Sequence, residues 1–434
     1  MCWTFSLRFW RRNSTAIWYS RERSPKYQYL DKQERSFIKR TVDGTLERLM
    51  QVDCLIESYS SVKLRKMKPV IRTILRMSVY QICFMDRIPD SAACNEAVKL
   101  AVRRGFSGLK GFVNGVLRNV SRHKDEITWP DDSTAFCLPQ WIFSMWERQY
   151  GKEAARTMAE SFLKERPLTV RMNLSLASRE EIADSLESQG VKVRESGFAE
   201  DVVFLSQVDY LESLDAFLDG WIQVQDLSSS LAGDAAGVKE GDYVIDVCGA
   251  PGGKSLHIAE LLHGTGMVEV RDLTEKKIAL VEDNIWRSGF SNIEARVQDA
   301  TEFDPDAQEK ADLLIADLPC SGLGIIGRKP DIRYNVTEEQ TRELAKLQRE
   351  ILSVVWRYVK PGGTMVFSTC TVDPAENEEN VRWILSQLPF EPVDLTDRIG
   401  DALAETLLED TRKKGYVQLL PGFYPGDGLF YLCI

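Results

Sequence analysis

The stretch Tyr-Val-Ile-Asp-Val-Cys-Gly-Ala-Pro-Gly-Gly-Lys-Ser, residues 243–255, decides the fold of this chain. Residues 244–247 are a short apolar run of the kind that forms a buried parallel strand. A glycine-rich turn follows, and residues 254–262 read as an amphipathic helix. This order opens a doubly wound nucleotide-binding sheet, with backbone amides facing an anionic ligand such as a phosphate or a methionine carboxylate. An ordinary turn also contains glycine and proline, so this stretch alone leaves the ligand open.

Strands and helices alternate after residue 241, as in a parallel sheet. The predicted strands are 244–247, 267–271, 293–298, 312–317 and 364–369, and the predicted helices are 254–262, 274–287 and 338–358. Two further strands, 416–420 and 429–433, end the chain like a hairpin. By fold-level analogy, this ending favours the methyltransferase variant of the fold over a dehydrogenase.

Four aspartates stand at the carboxyl ends of successive predicted strands: Asp246, Asp272, Asp299 and Asp317. Ligands of such sheets bind at that edge. Asp272 can accept both ribose hydroxyls, and Asp299 can accept from an adenine amino group. A nicotinamide cofactor would use a similar ribose carboxylate, but Gly-Ala-Pro-Gly-Gly is not the dinucleotide pattern. The turn therefore favours S-adenosylmethionine.

Two cysteines also stand at strand ends. Cys320 lies in Ala-Asp-Leu-Pro-Cys-Ser-Gly-Leu-Gly (316–324), and Cys370 lies in Phe-Ser-Thr-Cys-Thr-Val-Asp-Pro-Ala-Glu-Asn-Glu (367–378). A single buried cysteine is commonly a small apolar residue, but two at matching strand ends are hard to explain by packing. Methylation of cytosine at carbon 5 requires a thiolate to add to carbon 6, and an acid–base group to control release. The pair therefore predicts that chemistry, on a base that is flipped out or unpaired.

The composition of the 434-residue chain predicts two or three domains. Nine cysteines without a C-x-x-C pair, and only three histidines, argue against a metal site and a disulfide scaffold. We therefore expect a cytoplasmic protein with no metal, and the lack of a long apolar stretch predicts no membrane segment. We also expect a monomer. The net charge of −10 divides unevenly, because residues 1–130 hold 25 Lys and Arg against 12 Asp and Glu. The excess of Lys and Arg in residues 1–130 is typical of a segment that binds a polyanion such as RNA. Basic helices with a solvent-exposed face would give the same excess.

The chain is predicted to divide into four segments. Residues 1–26 show no clear period and are expected to be an atypical, poorly ordered N-terminus. Residues 27–127 are a helical domain, residues 128–228 are a helical connector with a small α/β subdomain, and residues 229–434 are the methyltransferase domain. The apolar positions 71, 74, 75, 79, 82 and 85 form a stripe at helical spacing in the second segment.

The helical segment resembles the NusB-type RNA-binding domain through Ile-Pro-Asp-Ser-Ala-Ala-Cys-Asn-Glu-Ala-Val-Lys-Leu-Ala (88–101) and Gly-Phe-Val-Asn-Gly-Val-Leu-Arg (111–118). Most of residues 30–434 resembles the RsmB (Sun/Fmu) family of 16S ribosomal RNA cytosine-5 methyltransferases. The supporting motifs are the glycine turn, both cysteine motifs, Arg-Lys-Pro-Asp-Ile-Arg (328–333) and the end of the chain, residues 418–431.

The resemblance implies roles for residues of this sequence. Cys370 is then the attacking thiol and Cys320 assists release of the methylated RNA. Asp272 holds the ribose, Asp299 the adenine, and Asp317 lies near the methyl donor and the target base. The methionine end of the cofactor is lined by Cys248, Gly249, Ala250, Pro251, Gly252, Gly253 and Lys254. Gly249 departs from the alanine usual in the family, and the smaller residue is not expected to block the cofactor.

Several alternatives stay open at this point. DNA cytosine-5 enzymes attack with the cysteine of a Pro-Cys dipeptide, which would make Cys320 the nucleophile. The substrate could be transfer RNA, although the NusB-like front favours ribosomal RNA. A non-catalytic RNA-binding factor and a nicotinamide oxidoreductase are the rivals from other classes.

Overall fold

The structure, a computed structural model, describes residues 30–434, so the predicted N-terminal segment 1–26 lies outside the described residues. The chain forms two compact units. The first holds the described residues up to 148 together with 162–164 and 326–335, and the second holds 149–161, 165–325 and 336–434. The segment boundaries at residues 127 and 228 stay predictions. Within residues 30–434, every helix is too short or too polar to cross a lipid bilayer.

The first unit is built from helices. They are α1 (Lys32–Glu47), α2 (Leu49–Tyr59), α3 (Pro69–Phe84), α4 (Asp90–Arg103), α5 (Lys110–His123), α6 (Asp132–Ala135) and α7 (Gln140–Tyr150), whose last two residues belong to the second unit. Proline at the first position of α3 suits a helix start, where its missing N–H needs no partner. The predicted apolar stripe forms its buried face, except for Met85, which follows the end of the helix. This face packs into one core with α2, α4 and α5.

An ion pair between α2 and α3 and the segment 326–335 complete the first unit. Arg76 on α3 donates from Nε and Nη2 to the two carboxylate oxygens of Asp53 on α2, both at 2.6 Å. Arg333, from the predicted motif 328–333, donates from Nη1 to the backbone oxygens of Glu47 and Cys137 at 2.9 and 3.1 Å. That motif therefore belongs to the helical unit.

The second unit contains a small antiparallel sheet. Its strands are β1 (Leu168–Met172), β2 (Lys192–Glu195), β3 (Val202–Ser206) and β4 (Ile222–Val224), in the order β2-β3-β1-β4. The helices of this part of the chain are α8 (Lys152–Ser161), α9 (Arg179–Ser188) and α10 (Asp215–Leu218). Residues of β1, β3, β4 and α9 share a core. The predicted small α/β segment is confirmed.

The main sheet has seven strands in the order β10-β11-β9-β8-β5-β6-β7. They are β5 (Tyr243–Asp246), β6 (Met267–Asp272), β7 (Ile293–Val297), β8 (Ala311–Asp317), β9 (Val359–Thr369), β10 (Tyr416–Leu419) and β11 (Leu429–Cys433). Strands β5 to β9 pair in parallel, and β11 pairs antiparallel with both β9 and β10. The predicted doubly wound fold with a hairpin ending is confirmed.

The remaining helices connect these strands. They are α11 (Leu227–Ala236), α12 (Gly253–Leu261), α13 (Glu275–Ser288), α14 (Ile332–Asn335, in the first unit), α15 (Glu338–Val355), α16 (Glu378–Gln387) and α17 (Asp401–Ala404). Apolar side chains on the two faces of the sheet form two separate cores. This layering leaves the carboxyl ends of β5, β6, β8 and β9 at one edge, where the loops carry the predicted site residues.

Candidate active site

The turn after β5 is held from inside by Asp246. Its buried carboxylate accepts hydrogen bonds from the Ser255 hydroxyl and, at 3.4 Å, from the Cys248 amide. Burial raises the pKa of Asp246 to about 7, and the negative charge of Asp317 acts in the same direction. Asp246, the one strand-end aspartate to which the sequence assigned no ligand contact, therefore uses its carboxylate to hold the turn in place.

Gly252 and Gly249 are each required in the turn, for different reasons. Gly252 has φ +102°, a left-handed conformation that favours glycine, and its amide donates to the Gly249 oxygen at 2.6 Å. A Cβ on Gly249 would lie 2.5 Å from Cγ1 of Val270 and 2.7 Å from Oδ2 of Asp246. Glycine fits at position 249 because the Val270 and Asp246 side chains occupy the space where a Cβ would lie. The amides of the turn then lead directly into the start of α12, where an anion is favoured.

Asp272 at the end of β6 is tied to the same turn. Its Oδ2 accepts from the Ala250 amide at 3.2 Å, and its Oδ1 accepts from the Leu273 amide at 2.7 Å and from Nζ of Lys277 at 2.8 Å. The Lys277 side chain is 55% exposed, whereas that of Asp272 is 3% exposed. Lys277 is thus the partner that can swing aside and free a carboxylate oxygen for a hydroxyl group.

Asp299, which follows β7, accepts two hydrogen bonds from the same residue. The amide and hydroxyl of Thr301 both donate to Oδ1, at 2.8 and 2.7 Å. These two bonds lower the pKa of Asp299, so the carboxylate stays ionised and fixed. Two bonds to one oxygen hold the second oxygen in a defined direction, which suits an acceptor for an amino group.

Lys254 on α12 forms an ion pair with Asp317 at the end of β8. Its Nζ lies 2.8 Å from Oδ2 of Asp317, while the Ser368 hydroxyl donates to Oδ1 at 2.7 Å. Burial of Lys254 opposes its charge, but the attraction of Asp317, Cys370 and Asp246 outweighs burial and raises its pKa. The lysine therefore places a positive charge beside Asp317 and close enough to Cys370 to interact with it.

The two predicted cysteines meet. The sulfur atoms of Cys320 and Cys370 lie 3.2 Å apart. The next residues along each loop also touch, because the hydroxyl oxygens of Ser321 and Thr371 are 2.7 Å apart. The prediction from strand ends is confirmed, since parallel pairing of β8 and β9 brings both loops to the same edge.

The proton of this pair is favoured on Cys320. The hydrogen bond with Cys370 raises the pKa of Cys320 well above its usual value, and burial and the charges of Glu376 and Asp317 act in the same direction. Lys254 contributes an opposite charge near Cys370. The charges around the site therefore favour the thiol form of Cys320 and the thiolate form of Cys370.

Glu376 and Gln348 are parts of the site that the sequence did not assign. Oε2 of Glu376 accepts from the Ser321 amide at 3.0 Å and from Nε2 of Gln348 at 2.9 Å. In the sequence, Glu-Asn-Glu (376–378) is part of the Cys370 motif, and nothing in it assigns Glu376 a role. The contact between Glu376 and the Pro-Cys-Ser loop depends on how α15 packs, so no pattern in the sequence indicates it.

Family models match three parts of the chain. The model described as 16S rRNA methyltransferase RsmB/F matches residues 236–433, the NusB family model matches residues 11–122, and an RsmF/B-like ferredoxin-like domain model matches residues 138–209. The probable ribosomal RNA small subunit methyltransferase B of Bacillus subtilis is 36% identical over 94% of this chain and 92% of its own length. This chain belongs to the RsmB family.

A second RsmB relative, the probable ribosomal RNA small subunit methyltransferase B of Synechocystis, is 31% identical over 92% of this chain and 90% of its own length. Among solved structures, PH0851 has a TM-score of 0.80 at 24% identity and covers 96% of this chain and 94% of its own. NSun6 from Pyrococcus horikoshii, solved with the S-adenosylmethionine analogue SFG, has a TM-score of 0.57 at 21% identity, covering 68% and 97%. The two structures show a shared fold.

The RsmB family depends on S-adenosylmethionine, and the residues of this chain fit that group. The helix start after Gly252 suits a carboxylate, Asp272 suits ribose hydroxyls once Lys277 moves, and Asp299 presents an oriented acceptor. The NusB model begins at residue 11 and so includes part of the segment predicted to be atypical. Within residues 30–434, no three His, Cys, Asp or Glu side chains are grouped as metal ligands would be.

Proposed function

We propose that this chain transfers a methyl group from S-adenosylmethionine to carbon 5 of a cytidine in 16S ribosomal RNA, through a covalent cysteine–cytosine intermediate. The observation that supports this proposal is the 3.2 Å contact between the sulfurs of Cys320 and Cys370, beside the Lys254–Asp317 ion pair. Membership of the RsmB family supports the substrate class, and the paired sulfurs support the carbon and the covalent step.

The proposed reaction begins on Cys370. Its thiolate forms a bond to carbon 6 of the base, and the electrons of the carbon 5–carbon 6 double bond make carbon 5 nucleophilic. S-adenosylmethionine, when bound, supplies an electrophilic methyl group to that carbon. Loss of the carbon 5 proton to a base then restores the double bond, and the carbon 6–sulfur bond breaks to return the thiolate. A residue that holds a proton beside the leaving sulfur helps to time this release.

The assignment of Cys370 as nucleophile is supported by the location of the thiol proton on Cys320. The pKa of Cys320 is raised by its hydrogen bond with Cys370, by burial and by nearby carboxylates, so Cys320 remains a thiol. The thiolate is the reactive form of cysteine. Lys254 is near enough to Cys370 for each to favour the other's charge. The alternative in which Cys320 attacks would need a thiolate at the less favourable position.

The cofactor is proposed to lie along the turn of residues 248–254, with Asp272 at its ribose, Asp299 at its adenine and Asp317 near its methyl group. Lys254 holds Asp317 in place through the 2.8 Å ion pair. The NusB-type unit is proposed to bind the ribosomal RNA with its basic residues, because Lys and Arg neutralise phosphates. The tRNA alternative predicts methylation of transfer RNA by the same assay.

The test is methylation of 16S ribosomal RNA and of transfer RNA by the purified full chain, mapped by bisulfite sequencing. Cys370→Ala is expected to abolish methylation of 16S ribosomal RNA. Cys320→Ala is expected to retain attack but accumulate a protein–RNA adduct, seen as a gel shift that survives denaturation. Cys54→Ala, a cysteine of the helical unit, is the matched control and is expected to behave as the unaltered chain. Methylation by Cys370→Ala at the rate of that control would refute the proposal.

A further inference from the structure

A buried carboxylate lies beside the loop that carries Cys320. Glu376 is completely buried, and its Oε2 accepts from the Ser321 amide at 3.0 Å, one residue after Cys320. Its other oxygen, Oε1, has no hydrogen-bond partner among residues 30–434. A buried carboxylate with half of its hydrogen-bonding capacity unused is costly to keep, so its retention calls for a role.

Gln348 on α15 extends this contact to the other side of Cys320. Its Nε2 donates both to Oε2 of Glu376 and to the backbone oxygen of Pro319, each at 2.9 Å. Its Oε1 accepts from Nδ2 of Asn380 at 2.7 Å, and the same amide nitrogen donates to the Glu376 backbone oxygen at 3.0 Å. The residues before and after Cys320 are thus held by one buried network that centres on the Glu376 carboxylate.

The charge of Glu376 acts on the same cysteine. Burial raises the pKa of Glu376 to about 7, with Asp373 adding to the rise, while the bonds from Ser321 and Gln348 oppose it. Above neutral pH the group is therefore largely a carboxylate. The groups that act on Cys320 are Cys370 from the loop after β9, Glu376 from the same loop, and Asp317 from the end of β8. Glu376 and Asp317 both disfavour a thiolate there, because like charges repel.

We propose that Glu376 is a positioning residue for the cysteine pair, which fixes the Cys320 loop against Cys370 and keeps the shared proton on Cys320. This proposal rests on the proposed function, in which Cys370 attacks the base and Cys320 assists release. The hydrogen bonds to Ser321 and Gln348 set the position of the loop. The negative charge selects which sulfur is the thiol.

The variant that separates charge from position is Glu376→Gln. Its amide oxygen can still accept from the Ser321 amide and from Gln348, while the negative charge is removed. Glu376→Ala removes both the bonds and the charge. Glu379→Gln, an exposed position three residues further on, is the matched control.

The measurement is the initial rate of alkylation of each cysteine by iodoacetamide, followed against pH in the full chain without RNA and quantified per peptide by mass spectrometry. In the unaltered chain, Cys370 is expected to react at lower pH than Cys320. In Glu376→Gln, the profile of Cys320 is expected to move to lower pH. At a pH below the midpoint of its profile, Cys320 should react severalfold faster than in the unaltered chain, because a larger fraction of it is thiolate. Glu379→Gln should leave both profiles unchanged.

Identical Cys320 profiles in Glu376→Gln and the control would overturn the proposal. Because this readout involves no methyl transfer, it stands or falls separately from the proposed function, which Cys370→Ala tests. Circular dichroism and thermal melting show whether each variant folds. If Glu376→Ala does not fold, Glu376→Gln still decides the question. A second readout is the methylation assay, in which Glu376→Gln is expected to lower kcat with little change in KM for RNA, whereas equal kcat would contradict a role in the pair.

Discussion

Replacing Asp246 with asparagine should stabilise the chain at alkaline pH and do so less as the pH falls. The Asp246 carboxylate lies fully inside the second unit, and burial raises its pKa from 3.8 to about 7. In the unfolded chain the group loses its proton near pH 4, while in the folded chain it holds the proton until about pH 7. Folding therefore binds a proton in this interval, and stability is lost as the pH rises through it.

The size of this effect follows from the shift. One pKa unit corresponds to about 1.4 kcal/mol, so a shift from 3.8 to about 7 costs the native state roughly 4 kcal/mol at pH 8. About 2 kcal/mol of that cost should accumulate between pH 5.5 and pH 7. Asparagine is isosteric, and it can accept from the Cys248 amide with its oxygen and donate to the Ser255 hydroxyl with its nitrogen. The variant therefore removes the charge and keeps the contacts of the turn.

The assay is urea unfolding followed by circular dichroism at half-unit steps from pH 5.5 to pH 8.5. The difference in free energy of unfolding between Asp246→Asn and the unaltered chain is expected to grow with pH and to level off above about pH 7.5. Asp283→Asn, an exposed aspartate on α13, is the control and should give a difference that does not change with pH. A constant difference for Asp246→Asn, or one that grows toward acid, would refute the reasoning.

Two further substitutions test the packing of each unit. Gly249→Ala places a methyl group 2.5 Å from Val270 and 2.7 Å from the Asp246 carboxylate, and overpacking of this kind costs about 1–3 kcal/mol. Because alanine is usual at this position in the family, the cost comes from the Val270 and Asp246 side chains of this chain; it should appear as a lower free energy of unfolding, and an unchanged value would contradict the need for glycine there. Arg76→Leu leaves the partly buried Asp53 carboxylate without its bidentate partner and should lower the free energy of unfolding by roughly 2–4 kcal/mol. Adding Asp53→Leu should recover most of that loss in the same unfolding assay, and no recovery would argue against a stranded charge.

The strands of the main sheet were predictable from sequence, most directly β5 and β8, because parallel strands buried on both faces are nearly continuous apolar runs. Their observed ends fall within one or two residues of the predicted ends, except that β9 begins at Val359 and not at residue 364. Its first residues include an exposed Lys-Pro-Gly stretch, which has no apolar pattern to indicate a strand. Helix α11 was also not predicted. Eight of its ten residues are buried, so it lacks the polar face that gives a helix its period.

Some features of the site could likewise be predicted from local sequence, whereas others depend on residues distant in the chain. The meeting of Cys320 and Cys370 was predictable because both follow strands whose carboxyl ends share an edge. The inward direction of Asp246 was not, because it depends on the Ser255 hydroxyl nine residues away. The contact between Glu376 and Gln348 depends on the packing of α15 beside the loop, and no spacing in the sequence encodes it.

The most direct test of the central claim is to trap the chain on RNA that contains 5-fluorocytidine and to find which cysteine carries the base. Fluorine at carbon 5 cannot leave as a proton does, so the adduct at carbon 6 persists after methyl transfer. Protease digestion and mass spectrometry should find the modified nucleotide on the peptide of Cys370, in the unaltered chain and in Cys320→Ala alike. A nucleotide attached to Cys320, or no adduct under conditions in which ordinary RNA is methylated, would contradict the account.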